Sequence, residues 1–240
     1  MKPFDHILLS CEHATNHVPR QYRHLFAGHA ETLDTHLGYD IGINRVADRL
    51  SQRLQCPLVK FPLSRLLLEP NRSQRHRLFS VYSQKLPENE KTHLIRTYYQ
   101  PYRDSLRQQV VSALTTSKTV LHLSLHSFTP ILKGRQRTAD VGLLYDPSRR
   151  REKSLAGQIQ EQLVDQLQLR IRRNYPYLGT ADGTVTWLRR QFRPQAYMGL
   201  EIEINQAWLL HRMPQQFRML CEALSDTLTW GTSDKSEPGF

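Results

Sequence analysis

The amino-acid sequence predicts a single α/β domain in which helices cover both faces of a mixed, mostly parallel sheet. The chain has 240 residues, which at roughly 150 residues per domain suits one large domain or two small ones. Hydrophobic residues make up 39% of it, enough for a sizeable core. Short apolar runs alternate with longer segments of helical period, as they do in α/β sheets. We therefore expect one domain over residues 1–230 and a flexible polar tail over 231–240.

Six short segments are predicted to be strands of this sheet. They cover residues 7–11, 57–61, 120–125, 141–145, 169–172 and 198–204. The segment 120–125, Val-Leu-His-Leu-Ser-Leu, has the period of two that is typical of a strand. In the last segment Leu200, Ile202 and Ile204 share one face. Glu201 and Glu203 share the other, since successive side chains on a strand point to opposite faces.

The segments between these strands carry apolar residues at helical spacing. Helices are expected over 40–54 and over 88–114, with Pro101 kinking or breaking the second one. Ser148 is placed to cap a third helix, and Pro214 to occupy the first position of a last one. Residues 174–184 contain the Pro, Gly and Asp-Gly signals of a long ordered loop ahead of a short helix.

Composition narrows the class of protein. No apolar run approaches the ~20 residues that a membrane-spanning helix needs, and the first residues contain too short an apolar stretch for a secretory signal. The three cysteines, Cys11, Cys56 and Cys221, form neither a disulfide framework nor a CxxC zinc motif. These features predict a cytoplasmic protein that does not use a membrane as a partner.

The balance of charge indicates an anionic partner. Lys and Arg number 33 against 22 Asp and Glu, which gives a formal net charge of +11. A field of this sign attracts nucleic acid, acidic membranes and small carboxylates or phosphates alike. Basic clusters at 149–151, 170–173 and 189–193 make a non-catalytic nucleic-acid-binding protein the main alternative to an enzyme. No RRM, KH or helix-turn-helix signature accompanies them.

Polar residues at the ends of separate strands suggest a catalytic metal site. The first strand leads into Glu12 and His13, and the third leads into His126. In α/β folds the site forms at the carboxyl ends of the strands, so these side chains can converge. Two histidines, a carboxylate and an open position are what a catalytic Zn²⁺ requires. With 11 histidines in the chain, a surface or core role is the competing interpretation for each.

Two further features suggest how a substrate would be held and processed. Glu203 lies among apolar strand residues, where a carboxylate is costly to bury without a partner. A structural ion pair with an arginine would also account for it. Arg65 and the Asn71-Arg72 pair follow the second strand, and a guanidinium beside an amide suits bidentate binding of a carboxylate. Ordinary solvated arginines are the alternative.

Six motifs in the same order resemble the N-formylglutamate amidohydrolase family. They are Ser-Cys-Glu-His-Ala-Thr-Asn at 10–16, Tyr-Asp-Ile-Gly at 39–42, Asn-Arg at 71–72, His-Ser-Phe-Thr at 126–129, Asp-Val-Gly-Leu-Leu-Tyr at 140–145 and Gly-Leu-Glu-Ile-Glu-Ile-Asn-Gln at 199–206. The resemblance covers roughly residues 5 to 225. Each motif alone is weak evidence of the family. Their shared order is strong evidence of the family and much weaker evidence of the substrate.

The resemblance implies a fold, a cofactor and a set of roles. The family is similar to zinc carboxypeptidases and aspartoacylases, which implies their three-layer α/β sandwich. It implies that His13 and His126 bind Zn²⁺, that Asn71 and Arg72 hold a substrate carboxylate with Arg65 assisting, and that Glu203 acts as general base and acid. The third ligand is less defined, because the relatives' His-x-x-Glu spacing falls on Asn16. We expect Asp40 to supply it, with Glu12 and Asn16 as alternatives.

The expected reaction is hydrolysis of the amide bond of a small acidic N-acyl amino acid. N-formyl-L-glutamate is the typical substrate that the resemblance implies, with formate and glutamate as products. The non-catalytic nucleic-acid-binding protein is the second possibility, and the same zinc scaffold acting on another acyl group or on a peptide is the third.

Overall fold

The computed structural model describes residues 4–210 and 214–229. Eight strands and seven α-helices follow one another through these residues. The strands are β1 (His6–Cys11), β2 (Leu58–Lys60), β3 (Val120–Phe128), β4 (Ile131–Leu132), β5 (Arg135–Gln136), β6 (Val141–Leu144), β7 (Ile171–Arg173) and β8 (Tyr197–Asn205). The helices are α1 (Ile43–Leu54), α2 (Glu88–Leu94), α3 (Gln100–Leu114), α4 (Arg150–Leu167), α5 (Thr184–Arg189), α6 (Gln206–Leu210) and α7 (Pro214–Thr229).

Six strands form one mixed sheet in the order β2-β1-β3-β8-β6-β7. The first four of these are parallel to one another, β6 pairs antiparallel with β8, and β7 is parallel to β6. The remaining strands, β4 and β5, make a small antiparallel hairpin. The carboxyl ends of β1, β3 and β8 consequently meet at one edge of the sheet, which confirms the predicted single-domain, mixed and mostly parallel α/β fold.

Two hydrophobic cores cover the two faces of the sheet. One face packs against α1, α4 and α7 through residues such as Val46, Ile159 and Leu224. The other packs against α3 and the leucine-rich segment after β2 through residues such as Leu106 and Leu67. Burial of the apolar stripe of each helix against the sheet is the main favourable contribution to such a three-layer arrangement.

The predicted elements are present with small shifts at their ends. All six predicted strands form, and the long helix over 88–114 is continuous apart from a π-helical turn at Ile95–Tyr99. This turn directly precedes α3, which places Pro101 in its first turn, where a missing backbone N–H is tolerated. The helix is therefore not broken. The predicted tail over 231–240 lies outside the described residues.

The predicted cap at Ser148 is wrong. The hydroxyl and backbone N–H of Ser148 donate instead to the carboxylate of Asp146, at 2.7 and 2.9 Å. The residue that precedes α4 is Arg149, and its side chain makes no capping hydrogen bond. An Asp two residues upstream competes for the serine's donors, and the resulting turn replaces the cap.

Within the described ranges, no helix has the length and apolar character needed to cross a membrane. Cys11, Cys56 and Cys221 are all unpaired.

Candidate metal centre and active site

One face of the sheet carries a stripe of polar side chains that leads to the carboxyl ends of the central strands. Ser124 and His126 on β3 stand opposite Glu201 and Glu203 on β8. All four are nearly or completely buried. They share a face because alternate residues of a strand point the same way. The other face of β8 carries the predicted apolar set, so the strand's period of two separates the core from the site.

His13, Asp40 and His126 converge at this edge. One oxygen of Asp40, Oδ2, lies 3.0 Å from Nδ1 of His126 and 3.4 Å from Nδ1 of His13. The donor atoms of all three buried residues lie within 4.8 Å of one another. The backbone N–H of Asp40 donates to the carbonyl of His13 at 3.0 Å, which holds the start of α1 beside the end of β1.

Gly42 allows the chain to turn from Asp40 into α1. Its φ of +82° lies in the left-handed region, and a Cβ there would lie 2.7 Å from the Cβ of Leu209. Only glycine adopts this conformation and this close packing without strain. The glycine of the Tyr-Asp-Ile-Gly motif thus fixes the position from which Asp40 reaches the two histidines.

Carboxylates bind the outer nitrogen of each histidine. Nε2 of His13 lies 2.6 Å from Oε1 of Glu69. Nε2 of His126 lies 3.3 Å from Oε2 of Glu12 and 2.9 Å from Oγ of Ser124. Because Ser124 gives its hydroxyl proton to Glu12, its oxygen accepts from His126. These acceptors can hold the proton of each Nε2. Nδ1 of His126 in turn donates to Asp40, so a ligand lone pair on this Nδ1 requires release of its proton.

The three central carboxylates are held in their ionised form. Burial raises the pKa of Asp40, but the charge of His13 and the hydrogen bond and charge of His126 outweigh it and hold the pKa well below its usual range. Burial likewise raises the pKa of Glu69, and Arg65 and His13 more than compensate. Burial also raises the pKa of Glu12, but the hydrogen bond and charge of His126 outweigh it and lower the pKa.

The residues present fit a divalent transition metal. Nδ1 of His13 is fully buried and makes no hydrogen bond, although a buried nitrogen of this kind is normally paired. Two imidazole nitrogens and a carboxylate oxygen are a common catalytic donor set for Zn²⁺, which leaves a fourth position for water or substrate. The carboxylates behind both histidines are the outer-shell partners that metal-binding imidazoles usually have.

Glu203 and Glu201 face the same space as these donors. With His13, Asp40, His126 and others they line a cavity of about 190 Å³, which we call the inner cavity. Oε2 of Glu203 is buried and unpaired. Burial raises the pKa of Glu203 to about 7, with the charges of Asp40 and Glu201 adding to the effect against that of His126. The suggested ion pair of Glu203 with an arginine is absent among the described residues.

Gly142 on β6 makes room for Glu203 on β8. The two residues are opposite one another across the antiparallel pair. A Cβ on Gly142 would overlap the carbonyl oxygen of Tyr175 and lie 3.3 Å from the Cβ of Glu203. The glycine of the Asp-Val-Gly motif therefore lets the loop after β7 approach Glu203 closely.

The Asn71-Arg72 pair lies at the mouth of the inner cavity. The carboxamide of Asn71 accepts from the backbone N–H of Thr184 at 2.7 Å, and its nitrogen lies 3.5 Å from Nε2 of His126. Nη1 of Arg72 donates to the carbonyls of Asn71 and Asp182. It has no carboxylate partner in the part of the chain that the structure describes. The buried guanidinium of Arg103 supports the segment by donating to the carbonyls of Pro70 and Arg72.

Arg65 and Asn16 are placed differently from Arg72. Nη2 of Arg65 lies 2.7 Å from Glu69, and Nη1 lies 3.5 Å from Asp40, so its charge is largely used inside the protein. Asn16 donates to Asp34 at 2.6 Å on an exposed part of the surface, away from the three convergent donors. Of the three residues weighed as the third ligand, Asp40 is the one grouped with the two histidines.

A buried network behind the centre was not apparent from the sequence. His122 lies 2.7 Å from the hydroxyl of Tyr197 and 2.8 Å from that of Ser10. Ser10 donates to Glu12, and Tyr102 on α3 donates to the same oxygen. Ser10 on β1 and His122 on β3 alternate with apolar residues along their strands, and this alternation is the sign of the network that the sequence carries. Which residues of the two strands lie side by side depends on the pairing register, which is a property of the tertiary structure.

Several arginines of the basic clusters are used within the fold. Arg189 is buried and binds Glu152 and the carbonyls of Gly179 and Gly199. Arg149 donates to the carbonyls of Tyr197 and Arg189. These guanidinium groups tie α4, α5 and β8 together, which gives part of the excess positive charge a structural role.

The sequence was compared with known proteins. The family model for N-formylglutamate amidohydrolase matches residues 5–210, which is most of the chain. The chain belongs to this family. Membership of an amidohydrolase family makes it a hydrolase of the N-formylglutamate amidohydrolase type. No curated protein matches the chain significantly.

Solved structures share the fold over nearly the whole chain. A gene product of Agrobacterium tumefaciens, Atu2144, is 28% identical, with a TM-score of 0.77 over 93% of this chain and 90% of the other. N-formylglutamate amidohydrolase from Ralstonia eutropha JMP134 is 20% identical, with a TM-score of 0.68 over 93% and 91%. The likeness to the Ralstonia eutropha structure supports the fold of this chain.

Proposed function

We propose that the chain is a zinc-dependent amidohydrolase that cleaves the amide bond of a small acidic N-acyl amino acid such as N-formyl-L-glutamate. The observation that carries this proposal is the convergence of His13, Asp40 and His126 beside Glu203 in one cavity. In our proposal the first three residues hold the metal. When bound, a zinc ion supplies Lewis acidity that polarises a carbonyl group and makes water more acidic.

Glu203 is the proposed proton carrier. Its unpaired Oε2 is available to take a proton from the attacking water and to deliver it to the departing nitrogen. A pKa of about 7 suits a group that must accept and release a proton near neutral pH. Glu201 lies two residues away on the same face of β8.

Arg72 and Asn71 are the proposed carboxylate-binding residues. The Arg72 guanidinium has donors left after it binds two backbone carbonyls, and guanidinium groups bind carboxylates through paired hydrogen bonds. Asn71 is oriented by Thr184 and can donate from its amide nitrogen. We propose for Arg65 a supporting role through Glu69 and Asp40 in addition to the field that it adds at the cavity.

The test is metal content followed by product formation. The purified protein should contain about one zinc per chain and release formate from N-formyl-L-glutamate, and a chelator should remove both properties together. Restoring zinc should restore turnover. Turnover that survives complete removal of metal would overturn the proposal. A cytoplasmic location, suggested by the unpaired cysteines, is part of the same proposal and is tested by fractionation.

A further inference from the structure

A second and larger cavity opens from the inner one. It has a volume of about 610 Å³, and Asp40, Arg65, Arg72, Ser127 and Tyr177 line both spaces. We call it the outer cavity. Cavities of roughly 300–1,000 Å³ commonly hold ligands of drug size. The inner cavity is below this range and suits an amino-acid group, whereas the outer cavity offers far more room than a formyl group needs.

Two arginines that line the outer cavity, Arg77 and Arg137, have charges that no described carboxylate neutralises. Arg77 binds the amide oxygen of Gln84, and Arg137 lies 5.7 Å from the ring of Phe128 and 5.3 Å from that of Tyr177. Across the described ranges, neither arginine has a carboxylate within ion-pair distance. Arg65 differs, since Glu69 and Asp40 take its charge. Guanidinium groups that line a cavity in this way attract an anionic ligand.

Apolar side chains are exposed around the same opening. Leu37, Val81, Leu132 and Tyr177 line the outer cavity, and between 37% and 60% of the surface of each is exposed. Leu178, on the rim of the inner cavity, is 62% exposed. Exposed apolar residues are normally scattered singly, and their concentration at a cavity marks a surface that binds an apolar group.

We propose that the outer cavity binds the acyl side of the substrate, and that the site prefers a bulky, apolar and negatively charged acyl group to formyl. The inference rests on the proposed function, which assigns the amino-acid carboxylate to Arg72 in the inner cavity. The far side of the scissile amide then extends between the exposed apolar residues. Arg137, whose guanidinium carbon lies 5.7 and 5.3 Å from the ring centres of Phe128 and Tyr177, lies where an anion on this group would be bound.

The probe is N-(4-carboxyphenylacetyl)-L-glutamate, compared with N-phenylacetyl-L-glutamate and N-acetyl-L-glutamate. In each hydrolysis the oxygen of water bonds to the acyl carbon, the C–N bond breaks, and the nitrogen gains a proton, which yields a carboxylic acid and glutamate. We expect KM to fall at least tenfold from the acetyl to the phenylacetyl compound, and to fall several-fold again with the added carboxylate.

Substitutions in the outer cavity test the assignment. Arg137→Gln should raise KM for the carboxyphenylacetyl compound at least tenfold more than it raises KM for N-acetyl-L-glutamate. Val81→Trp, at an exposed position, should fill the cavity and discriminate in the same direction. Arg135→Gln is the matched control, because Arg135 lies on β5, two residues before Arg137, and lines neither cavity. It should leave the ratio of the two KM values as it is.

The outcomes separate the two proposals. If the enzyme hydrolyses N-formyl- and N-acetyl-L-glutamate but binds the larger compounds no better, the acyl-side inference is wrong and the proposed function stands. The same holds if Arg137→Gln and Arg135→Gln change the KM ratio equally. If the metal-loaded protein hydrolyses none of the compounds, the proposed function fails, and the inference fails with it.

Discussion

The protonation of single side chains sets the chemistry of the site. An imidazole has two nitrogens and, when neutral, one proton. In His13 and His126 the outer nitrogen is bound by a carboxylate, Glu69 or Glu12. The inner nitrogens face Asp40, and each would offer its lone pair to a metal once its proton is released. Glu203 has no such partners, and its pKa of about 7 contrasts with the lowered pKa of Asp40. Ligand and proton carrier are distinguished by their surroundings.

Loss of either histidine should abolish metal binding. His13→Ala or His126→Ala removes one of three proposed ligands, so bound zinc, measured by elemental analysis after dialysis, should fall well below one per chain. His17→Ala is the control, because His17 is exposed and near in sequence. A His13→Ala or His126→Ala protein that keeps stoichiometric zinc would remove that residue from the ligand set.

Glu203→Gln should keep the metal and lose turnover. The amide has nearly the same shape but cannot carry the proton, and general acid–base catalysis contributes about 10²–10⁴-fold to the rate. We expect kcat to fall by about that factor, measured by formate release at pH 7, with zinc content unchanged. Glu201→Gln is the matched comparison and should lose much less. The reverse order of effects would transfer the proton-carrying role to Glu201.

Glu69→Gln should weaken the binding of metal without removing it. The glutamine can still accept from His13 but has no charge to make the imidazole a better donor. Loss of such an outer-shell partner typically costs about 10–100-fold in metal affinity or activity. Competition with a chromophoric chelator measures this change. Glu88→Gln, at an exposed pair with Lys91, is the control, and equal affinities in the two variants would contradict the role given to Glu69.

At the scale of elements, a buried ion pair joins helices to the strand that carries Glu203. Glu152 on α4 accepts from Arg189 on α5 and from the backbone N–H of Gly199 on β8. Arg189 also binds the carbonyl of Gly179, in the loop whose residues Leu178 and Asp182 line the inner cavity. The Glu152–Arg189 pair thus links α4, α5 and the loop containing Gly179 to β8, the strand whose Glu201 and Glu203 line the inner cavity.

Breaking this pair should destabilise the protein strongly. Glu152→Leu leaves Arg189 charged and buried, and removing one partner of a buried ion pair costs about 3–5 kcal/mol in the free energy of unfolding. Urea denaturation followed by circular dichroism measures the change. The double variant Glu152→Leu, Arg189→Met should recover part of the loss, because no unpaired charge remains. A single variant as stable as the unchanged protein would contradict this account.

At the scale of the whole molecule, the sheet buries a polar network between its strands and α3. His122 lies at its centre, and burial lowers the pKa of this residue to about 4. Between about pH 4 and pH 6.5 the folded protein therefore keeps the imidazole neutral, whereas the unfolded chain, with a pKa near 6.5, binds a proton. Hydrogen bonds with Ser10 and Tyr197 satisfy the neutral form, so the network stabilises the fold only while His122 is uncharged.

Stability should consequently depend on pH through His122. Its contribution is complete above pH 6.5 and is lost as the pH falls to about 4, because the unfolded state then binds more protons. The loss is on the order of 3 kcal/mol. Urea denaturation of the unchanged protein and of His122→Gln across this range measures it, and the variant should show a flatter profile. Parallel profiles would contradict the assignment to His122.

The pattern of single segments predicted the fold well, because period and chain order are local properties. The alternation in β3 and β8 placed both strands, and the proline at 214 marked the start of α7. Ser148 and Pro101 were harder, since a neighbouring Asp146 and a π-helical turn changed their effects. Both outcomes depend on contacts that a period does not encode.

The sequence by itself determined the family, the order of strands and helices, and the residue types for a metal centre, because motifs and periodicity are carried by consecutive residues. Only the tertiary structure decided that Asp40 joins His13 and His126 while Asn16 turns to Asp34. The tertiary structure also pairs Arg65 with Glu69 and places Arg137 in the lining of the outer cavity. Such outcomes depend on distances between segments far apart in the chain, and pairing, burial and charge act through those distances.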